Sequence, residues 1–327
     1  MEDTILKVDN LKIGIRNKKK ISYPVENVNF EIKRGETFAL VGESGSGKSM
    51  TALSIMGLLS SWNSYLDVEI SGSIRFISKD KICYELTKLN EKEYDKIRGN
   101  DISMIFQEPL TARNPVISVG KQITEILLAH KKMSHREAEN RAIELLKQVE
   151  IPNAEERFQY FPHQFSGGQL QRIMIAIAIV CNPTCLIADE PTTALDVTIQ
   201  KQILALLKKI QKENNMSIFI ITHDLAVVSE FADKVAVMYS GNIVEYGTVK
   251  QIFQNPQHPY TELLLKSIPT LDTVPGTKLL TKKDFLYTGN GKDERKTFAP
   301  DCKNDSSFKQ IGENHYVSTA FVHGGAA

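Results

Sequence analysis

The sequence predicts an α/β protein built around a parallel β-sheet. Three observations predict this class: a glycine-rich loop separates an apolar strand from a helix, a second apolar strand ends in two acidic residues, and residues 182–240 alternate between strand and helix patterns. Strands that alternate with helices form parallel sheets because each helix packs back across the sheet. Residues 5–40 instead show the alternation of β-hairpins, and residues 110–180 are helical in pattern. We therefore expect a parallel-sheet core, an antiparallel β subdomain and a helical subdomain.

The glycine-rich loop matches the phosphate-binding pattern GxxxxGK[ST]. Its residues are Gly42, Glu43, Ser44, Gly45, Ser46, Gly47, Lys48 and Ser49. The glycines let the backbone turn tightly and direct its N–H groups at a phosphate. Lys48 is predicted to reach the β- and γ-phosphates of ATP, and Ser49 to bind Mg²⁺. An accidental glycine-rich turn is the alternative, and the strand before the loop and the helix after it disfavour that interpretation.

Asp189 and Glu190 end the second apolar strand, which starts at Cys185. A buried parallel strand would deliver both carboxylates to its carboxyl end, the edge at which open α/β sheets bind ligands. Asp189 is predicted to hold Mg²⁺ through water, and Glu190 to orient or deprotonate the attacking water. An isolated acidic pair would more commonly be a solvated strand end, but the phosphate loop favours the catalytic interpretation.

Two further apolar strands end in polar residues, Gln107 and His223. Gln107 is predicted to sense Mg²⁺ and the attacking water. His223 is predicted to donate a hydrogen bond to the γ-phosphate and to hold the catalytic geometry. Polar strand ends are common, so each residue alone would carry little weight. Their order along the chain favours both as catalytic residues.

The segment Ser166, Gly167, Gly168 and Gln169 precedes an apolar, helix-compatible run over residues 173–180. With this signature the chain resembles the nucleotide-binding subunits of ABC transporters over about residues 5–265. The resemblance implies a P-loop ABC ATPase fold in which the signature lies at a helix N-terminus. There it would bind the γ-phosphate of an ATP molecule that a second cassette holds.

The resemblance also implies two details of nucleotide binding. Asp196 matches the polar contact of the loop that crosses the interface between cassettes, and it also has the position of a helix N-cap; the two roles are compatible. An aromatic residue is expected to stack on adenine. Ile15 occupies the aligned position, and Tyr23 is the nearest aromatic residue. Because a packing role suits Tyr23 equally well, the stacking residue stays open.

Two stretches narrow the resemblance to the oligopeptide, dipeptide and nickel import ATPases. They are the segment from Gln107 to Gly120 and the segment His258-Pro-Tyr that opens a C-terminal helix. The residues before the signature, 160–165, resemble those of the first of the two paralogous ATPases of such importers. The His258 segment alone would also suit a turn before an amphipathic helix.

The resemblance implies an ATP hydrolase coupled to transmembrane transport, a translocase that imports peptides, nickel or metal chelates. Its partners would be a second paralogous ABC ATPase in a heterodimer, two membrane permease subunits and an extracytoplasmic substrate-binding protein. The alternative is a soluble ABC ATPase that acts in DNA repair or translation. Such proteins generally carry paired cassettes or a long coiled coil, and the sequence shows neither pattern.

Composition agrees with a large domain that reaches the membrane through partners. The 327 residues carry a net charge of +1, which gives no reason to expect nucleic acid as a partner. No apolar run approaches the roughly 20 residues that span a bilayer, and the N-terminus lacks a signal-peptide pattern. We therefore expect a peripheral location on the cytoplasmic face of the cell membrane.

The C-terminal region is predicted to be an extension of the cassette. We expect a nucleotide-binding domain over residues 1–268 and a partly irregular extension over 269–327, and a hairpin that turns at Gly241-Asn242. Related tails often carry cysteines that hold an iron–sulfur cluster. Only Cys302 lies in this tail, so no iron–sulfur cluster is expected. Cys181 and Cys185 are predicted to be core residues.

Overall fold

Two β-sheets form the centre of the protein. The computed structural model describes residues 3–17, 20–59, 67–107, 114–193, 195–267 and 308–318. The strands in these ranges are β1 (Thr4–Asn17), β2 (Lys20–Lys33), β3 (Thr37–Val41), β4 (Asp67–Ile77), β5 (Cys83–Glu85), β6 (Ile102–Ile105), β7 (Cys185–Asp189), β8 (Ser217–Thr222), β9 (Lys234–Tyr239), β10 (Asn242–Thr248), β11 (Phe308–Gly312) and β12 (His315–Ser318). They form a four-stranded sheet in the order β2-β1-β4-β5 and an eight-stranded sheet in the order β11-β12-β10-β9-β3-β8-β7-β6.

Helices pack around these sheets and connect their strands. The described helices are α1 (Lys48–Ile55), α2 (Glu91–Ile97), α3 (Val119–His130), α4 (His135–Gln148), α5 (Ala154–Arg157), α6 (Gly167–Ile179), α7 (Val197–Asn214), α8 (Leu225–Phe231), α9 (Val249–Gln254) and α10 (Pro259–Lys266). Among them, none combines the length and the apolar character needed to cross a lipid bilayer.

The parallel part of the larger sheet brings the predicted site residues to one edge. Strands β6, β7, β8, β3 and β9 pair in parallel. Every residue of β3, β7 and β8 is buried, which explains their continuous apolar sequences. Parallel strands share one carboxyl edge, so the residues that follow β3, β6, β7 and β8 lie there together.

The smaller sheet is antiparallel and covers the parallel core. Its strands β1, β2, β4 and β5 pair in antiparallel registers. Phe30 of β2 stacks on Phe38 of β3 with 4.9 Å between ring centroids, and this contact joins the two sheets. The antiparallel pattern expected over residues 5–40 therefore ends at Lys33. Residues 37–41 belong to the parallel core because they are buried without alternation.

Helices α3 to α6 form a helical arm over residues 119–179. Helix α4 begins with a capping box, in which the Ser134 hydroxyl accepts from the Glu137 N–H and the Glu137 carboxylate accepts from the Ser134 N–H. Helix α6 is buried along most of its length, in agreement with its apolar sequence. The arm joins the core through the segment after Gln107, of which residues 108–113 lie outside the described part of the chain.

The C-terminal residues extend the larger sheet on its antiparallel side. Strands β9 and β10 form the expected hairpin, but its turn lies at Ser240 and Gly241, one residue earlier than predicted. Both residues have positive φ, 44° and 85°, as a two-residue hairpin turn requires. Strands β11 and β12 pair with each other, and β12 pairs with β10. The predicted irregular stretch 269–300 and Cys302 lie outside the described residues.

Cys181 and Cys185 are buried free thiols, so their prediction as core residues is confirmed. Cys185 begins β7 in the centre of the parallel core.

Candidate functional site

The phosphate loop connects β3 to α1 and needs glycine at two positions. Gly42 has φ 154°, and a Cβ atom there would lie 2.2 Å from the Met238 carbonyl oxygen. Gly47 has φ 107°, and a Cβ atom there would lie 2.4 Å from the Pro24 carbonyl oxygen. Ser46, Gly47 and Lys48 are buried, while Glu43, Ser44 and Gly45 form the exposed part of the loop. The loop thus has a backbone that larger residues could not adopt.

Lys48 folds back onto the loop that precedes it. Its Nζ atom donates to the carbonyl oxygens of Gly42, at 2.8 Å, and Glu43, at 2.7 Å. Burial lowers the pKa of Lys48, and the negative charges of Glu190 and Asp189 act in the opposite direction. The ammonium group is therefore partly desolvated and close to the carboxylates of Asp189, the last residue of β7, and Glu190, the residue after it.

The side-chain oxygen atoms of Ser49 and Asp189 lie close to each other. The Ser49 hydroxyl donates to Asp189 Oδ1 at 3.2 Å. Burial raises the pKa of Asp189, and this effect outweighs the hydrogen bond from Ser49. A cation would relieve the burial of this carboxylate, and hydroxyl and carboxylate oxygens are ligands that Mg²⁺ prefers. The residue pair therefore fits Mg²⁺, which typically completes its coordination with water and phosphate oxygens.

Three predicted residues meet at the carboxylate of Glu190. Its Oε1 atom lies 3.0 Å from His223 Nδ1, and its Oε2 atom accepts from Gln107 Nε2 at 2.9 Å. The Thr193 hydroxyl also donates to Oε2, at 2.9 Å. Thr193 was not predicted from the sequence, in which its signal is its position three residues after Glu190, in the turn that follows β7.

The surroundings of Glu190 keep it ionised. Burial is the largest single influence on its pKa and raises it, but hydrogen bonds with His223 and Thr193 and the nearby positive charge together hold the pKa below its ordinary value. Glu190 is therefore a carboxylate that can accept a proton, held by three hydrogen bonds. This arrangement suits a residue that orients and deprotonates a water molecule.

The signature residues form the N-terminus of α6. The Ser166 hydroxyl accepts from the Gln169 N–H at 3.4 Å, and Gln169 Oε1 accepts from the Ser166 N–H at 3.2 Å, which together form a capping box. A Cβ atom on Gly167 would meet nothing within 4 Å, whereas one on Gly168 would lie 2.9 Å from the Ile199 side chain. The open side of the helix N-terminus is therefore at Gly167.

Asp196 lies close to the signature in space. It caps α7, since its Oδ1 atom accepts from the N–H groups of Thr198 and Ile199 at 3.0 Å. The signature and Asp196 line one open cavity of about 490 Å³. Its described lining residues are Glu150, Ser166, Gly167, Gly168, Gln169, Arg172, Leu195, Asp196 and Ile199, none of them from the phosphate loop. The predicted residues therefore form two separate groups on this chain.

Arg172, which was not predicted from the sequence, holds the signature helix in place. Its guanidinium group donates to the Val149 carbonyl oxygen at 3.1 Å, to the Glu150 carboxylate at 2.7 Å and to Gln202 Oε1 at 3.1 Å. The side chain is largely buried, so these bonds connect α6 to the end of α4 and to α7. A basic residue within an apolar helix, six positions after Ser166, was the available signal.

The two candidates for adenine stacking differ in their surroundings. Ile15 is half-buried and pairs with Ser22 in the antiparallel sheet. Tyr23 is 40% exposed, and Lys12 Nζ lies 3.8 Å from the centroid of its ring. Pro24, the residue after Tyr23, contacts the phosphate loop at Gly47. Tyr23 is therefore the exposed aromatic residue next to the loop.

Comparisons with known proteins agree with this geometry. Residues 25–193 match the family described as ABC transporter, and residues 244–307 match the oligopeptide/dipeptide transporter C-terminal region. The oligopeptide transport ATP-binding protein AppD of Bacillus subtilis (strain 168) is 52% identical over 91% of this chain and 88% of its own length. The dipeptide transport ATP-binding protein DppD of Lactococcus lactis subsp. cremoris (strain MG1363) is 46% identical over 97% and 91%.

Two solved structures of ABC cassettes have a similar fold. The ATP-binding cassette MJ0796, in a dimeric post-hydrolysis state bound to ADP and Pi, has a TM-score of 0.63 and 29% identity. The match covers 75% of this chain and 99% of that one. The protein cbiO1 of Clostridium perfringens, part of an ABC transporter complex, has a TM-score of 0.63 and 31% identity over 77% and 92%.

Proposed function

The chain belongs to the ABC transporter ATPases, and from that premise we propose that it is the ATP-hydrolysing subunit that drives a peptide importer. The observation that carries the proposal is the Glu190 carboxylate, which Gln107, Thr193 and His223 hold at the same sheet edge as Lys48. The relatives that match along most of the chain are named as oligopeptide and dipeptide transport proteins, which supports peptides as the cargo. Nickel or a metal chelate as cargo stays an untested prediction.

Each residue at the sheet edge would have a separate role in ATP hydrolysis. Lys48 would leave the loop carbonyl groups and bind the β- and γ-phosphates. Ser49 and Asp189 would hold Mg²⁺, which when bound neutralises the charge that develops on the phosphate oxygens. Glu190 would take a proton from the attacking water. His223 and Gln107 would fix the position of Glu190 and respond to the γ-phosphate.

The second group of residues would serve the ATP of another cassette. The N-terminus of α6 is open at Gly167, and helix N-termini attract anions such as phosphate. Asp196 lines the same cavity, which supports its role at the interface between cassettes. The dimeric state of MJ0796 supports such an arrangement. We propose that the partner is a paralogous ATPase, as in the importers that this sequence resembles.

Two exposed apolar residues, one just before the helical arm and one within it, support contact with membrane permeases. Val116 is 77% exposed and Phe161 is 38% exposed. Their segments lie side by side, since the Val119 N–H donates to the Tyr160 carbonyl oxygen at 2.9 Å. This surface follows Gln107 along the chain, so a contact there would connect the nucleotide site to the permeases. Such a contact would place the chain on the cytoplasmic face of the membrane, bound to two permease subunits that receive cargo from an extracytoplasmic substrate-binding protein.

Reconstitution of the whole transporter tests the proposal. The chain would be purified with its co-encoded permeases and second ATPase and placed in lipid vesicles. ATPase activity would then be measured with a binding protein loaded with peptides or with chelated nickel, and the Glu190→Gln complex would serve as the control. Stimulation by loaded peptides is the expected result. An ATPase rate that no loaded binding protein changes, or the absence of a stable complex, would favour a soluble role in DNA repair or translation.

A further inference from the structure

Tyr260, on the C-terminal helix α10, contacts the phosphate loop. Its hydroxyl oxygen accepts a hydrogen bond from the Glu43 N–H at 3.2 Å. The side chain is 1% exposed, and its ring packs against Tyr239 with 4.4 Å between centroids. The hydroxyl of a buried tyrosine is thus aimed at the backbone of the loop that binds phosphate. This contact has no part in the hydrolysis reaction described above.

The contact fixes one peptide group of the loop at both ends. The peptide between Gly42 and Glu43 is planar, so its C=O and N–H groups turn together. The Gly42 carbonyl oxygen accepts from Lys48 Nζ at 2.8 Å, and the Glu43 N–H donates to Tyr260 at 3.2 Å. Rotation of this peptide would break both bonds. The Tyr260 hydroxyl therefore acts on the same peptide group that holds Lys48.

A fully buried carboxylate holds the start of the Tyr260 helix. Glu245 of β10 accepts from the backbone N–H groups of Gln257, at 2.9 Å, and His258, at 3.0 Å. His258 Nδ1 in turn accepts from the Tyr260 N–H at 3.1 Å and caps the helix. The segment His258-Pro259-Tyr260 is therefore tied to the sheet immediately before it reaches the phosphate loop.

The same carboxylate holds the C-terminal hairpin. His315 Nε2 of β12 lies 2.8 Å from Glu245 Oε1, and both side chains are almost completely buried. The backbone supports the contact, because Glu245 is paired with Val317 between β10 and β12. Glu245 thus connects the hairpin of β11 and β12 with the helix that carries Tyr260. Loss of one partner would leave the other buried without its bond, which is strongly unfavourable.

We propose that Tyr260 is a positioning residue for the phosphate loop and that the C-terminal hairpin fixes Tyr260 through Glu245. The hairpin, the His-Pro-Tyr segment and the loop then form one continuous series of contacts. Undocking of the hairpin would loosen the Gly42–Glu43 peptide and weaken binding of ATP. The inference concerns affinity for the nucleotide and rests on binding of ATP by the phosphate loop.

Tyr260→Phe tests the proposal because it removes only the hydroxyl group. Loss of one hydrogen bond weakens an interaction about two- to tenfold, so the Kd and KM for MgATP are expected to rise by that factor, with kcat within twofold. Tyr94→Phe is the matched control, since Tyr94 is also buried and its hydroxyl donates to one backbone carbonyl, that of Leu86. A Kd of Tyr260→Phe equal to that of Tyr94→Phe would overturn the proposal.

Two further measurements separate this proposal from the proposed function. Amide hydrogen exchange of residues 42–47 in the nucleotide-free chain is expected to speed up about threefold or more in Tyr260→Phe and in His315→Gln, but not in Tyr94→Phe. Because exchange is measured without nucleotide, the two failures are distinguishable: a wild-type chain that bound no MgATP would contradict the proposed function, whereas unchanged exchange in Tyr260→Phe would overturn this proposal. The effects of Tyr260→Phe and His315→Gln on exchange are expected to be less than additive, whereas full additivity would overturn the link through the hairpin.

Discussion

Glu190 and His223 follow neighbouring strands, and their side chains meet at 3.0 Å. Glu190 has φ 48°, a conformation that residues other than glycine seldom adopt, and its N–H donates to the Ile221 carbonyl oxygen at 2.8 Å. The backbone of β8 thus holds the strained residue in place while His223, two residues further along, holds its carboxylate. Strain of this kind is typical of functional sites, where the surrounding structure imposes it.

Glu190→Gln is expected to separate binding of ATP from its hydrolysis. The amide keeps the size of the side chain but cannot accept a proton, so kcat in the assembled transporter should fall about 100-fold or more. The Kd for MgATP should stay within about twofold, because the phosphate loop is unchanged. Glu144→Gln, on the exposed side of α4, is the control. Equal turnover in Glu190→Gln and Glu144→Gln would show that Glu190 is not the catalytic base.

Ser49→Ala is expected to raise the concentration of Mg²⁺ needed for ATP hydrolysis. The variant removes one of the two oxygen atoms that lie 3.2 Å apart between α1 and β7. Titration of Mg²⁺ at fixed ATP should give a half-maximal concentration about tenfold above that of the wild type, which corresponds to roughly 1.4 kcal/mol. Ser54→Ala is the matched control, since Ser54 lies on the same helix and donates to the Thr51 carbonyl oxygen. The prediction is wrong if both variants need the same concentration.

His258 is expected to make the protein less stable in mild acid. Burial lowers the pKa of His258 to about 4, whereas an unfolded histidine has a pKa near 6.5. Between these values the unfolded chain binds the proton and the folded chain does not, so stability falls as the pH falls from 6.5 to 4. Linkage gives a loss of about 2 kcal/mol between pH 7 and pH 5 from this residue.

Urea unfolding at the two pH values measures this contribution. His258→Asn keeps an N-cap acceptor for α10 but cannot titrate in this range, so its loss of stability should be smaller by about 2 kcal/mol. His135→Asn is the control, because His135 is exposed at the start of α4. The same acid-induced loss in wild type and His258→Asn would show that His258 is protonated in the folded chain.

The sequence was sufficient to predict which residues lie at the carboxyl edge of the parallel sheet. It was insufficient to predict contacts between distant segments. Gln107, Glu190 and His223 each follow an apolar strand, so one rule about parallel sheets placed them together. Tyr260 and Glu43 are 217 residues apart, and Glu245 and His315 are 70 residues apart. No local pattern relates the members of these pairs. Their contact depends on how α10 and the C-terminal hairpin pack against the sheet.

Local conformation explains the small error at the β9–β10 turn. Glycine and asparagine favour positive φ, which is why Gly241-Asn242 was expected to form the turn. In the structure Ser240 takes the positive φ and Asn242 pairs with Tyr239 as the first residue of β10. The register of the flanking strands therefore decided the position of the turn, and this register depends on burial across the whole sheet.

Gly167→Asp is expected to leave the isolated chain intact and to disable the assembled transporter. A Cβ atom at this position meets nothing within 4 Å, and a carboxylate in the first turn of α6 is favourable for the helix dipole. The unfolding free energy of the isolated chain should therefore not fall, and its Kd for MgATP should stay unchanged. In the dimer the new charge would face the γ-phosphate of the other cassette, so ATPase activity should fall at least about tenfold, the effect of roughly 1.4 kcal/mol of repulsion. Gly167→Asn, which adds similar volume without charge, should reduce activity less. Full activity of Gly167→Asp in the transporter would place the signature away from the nucleotide.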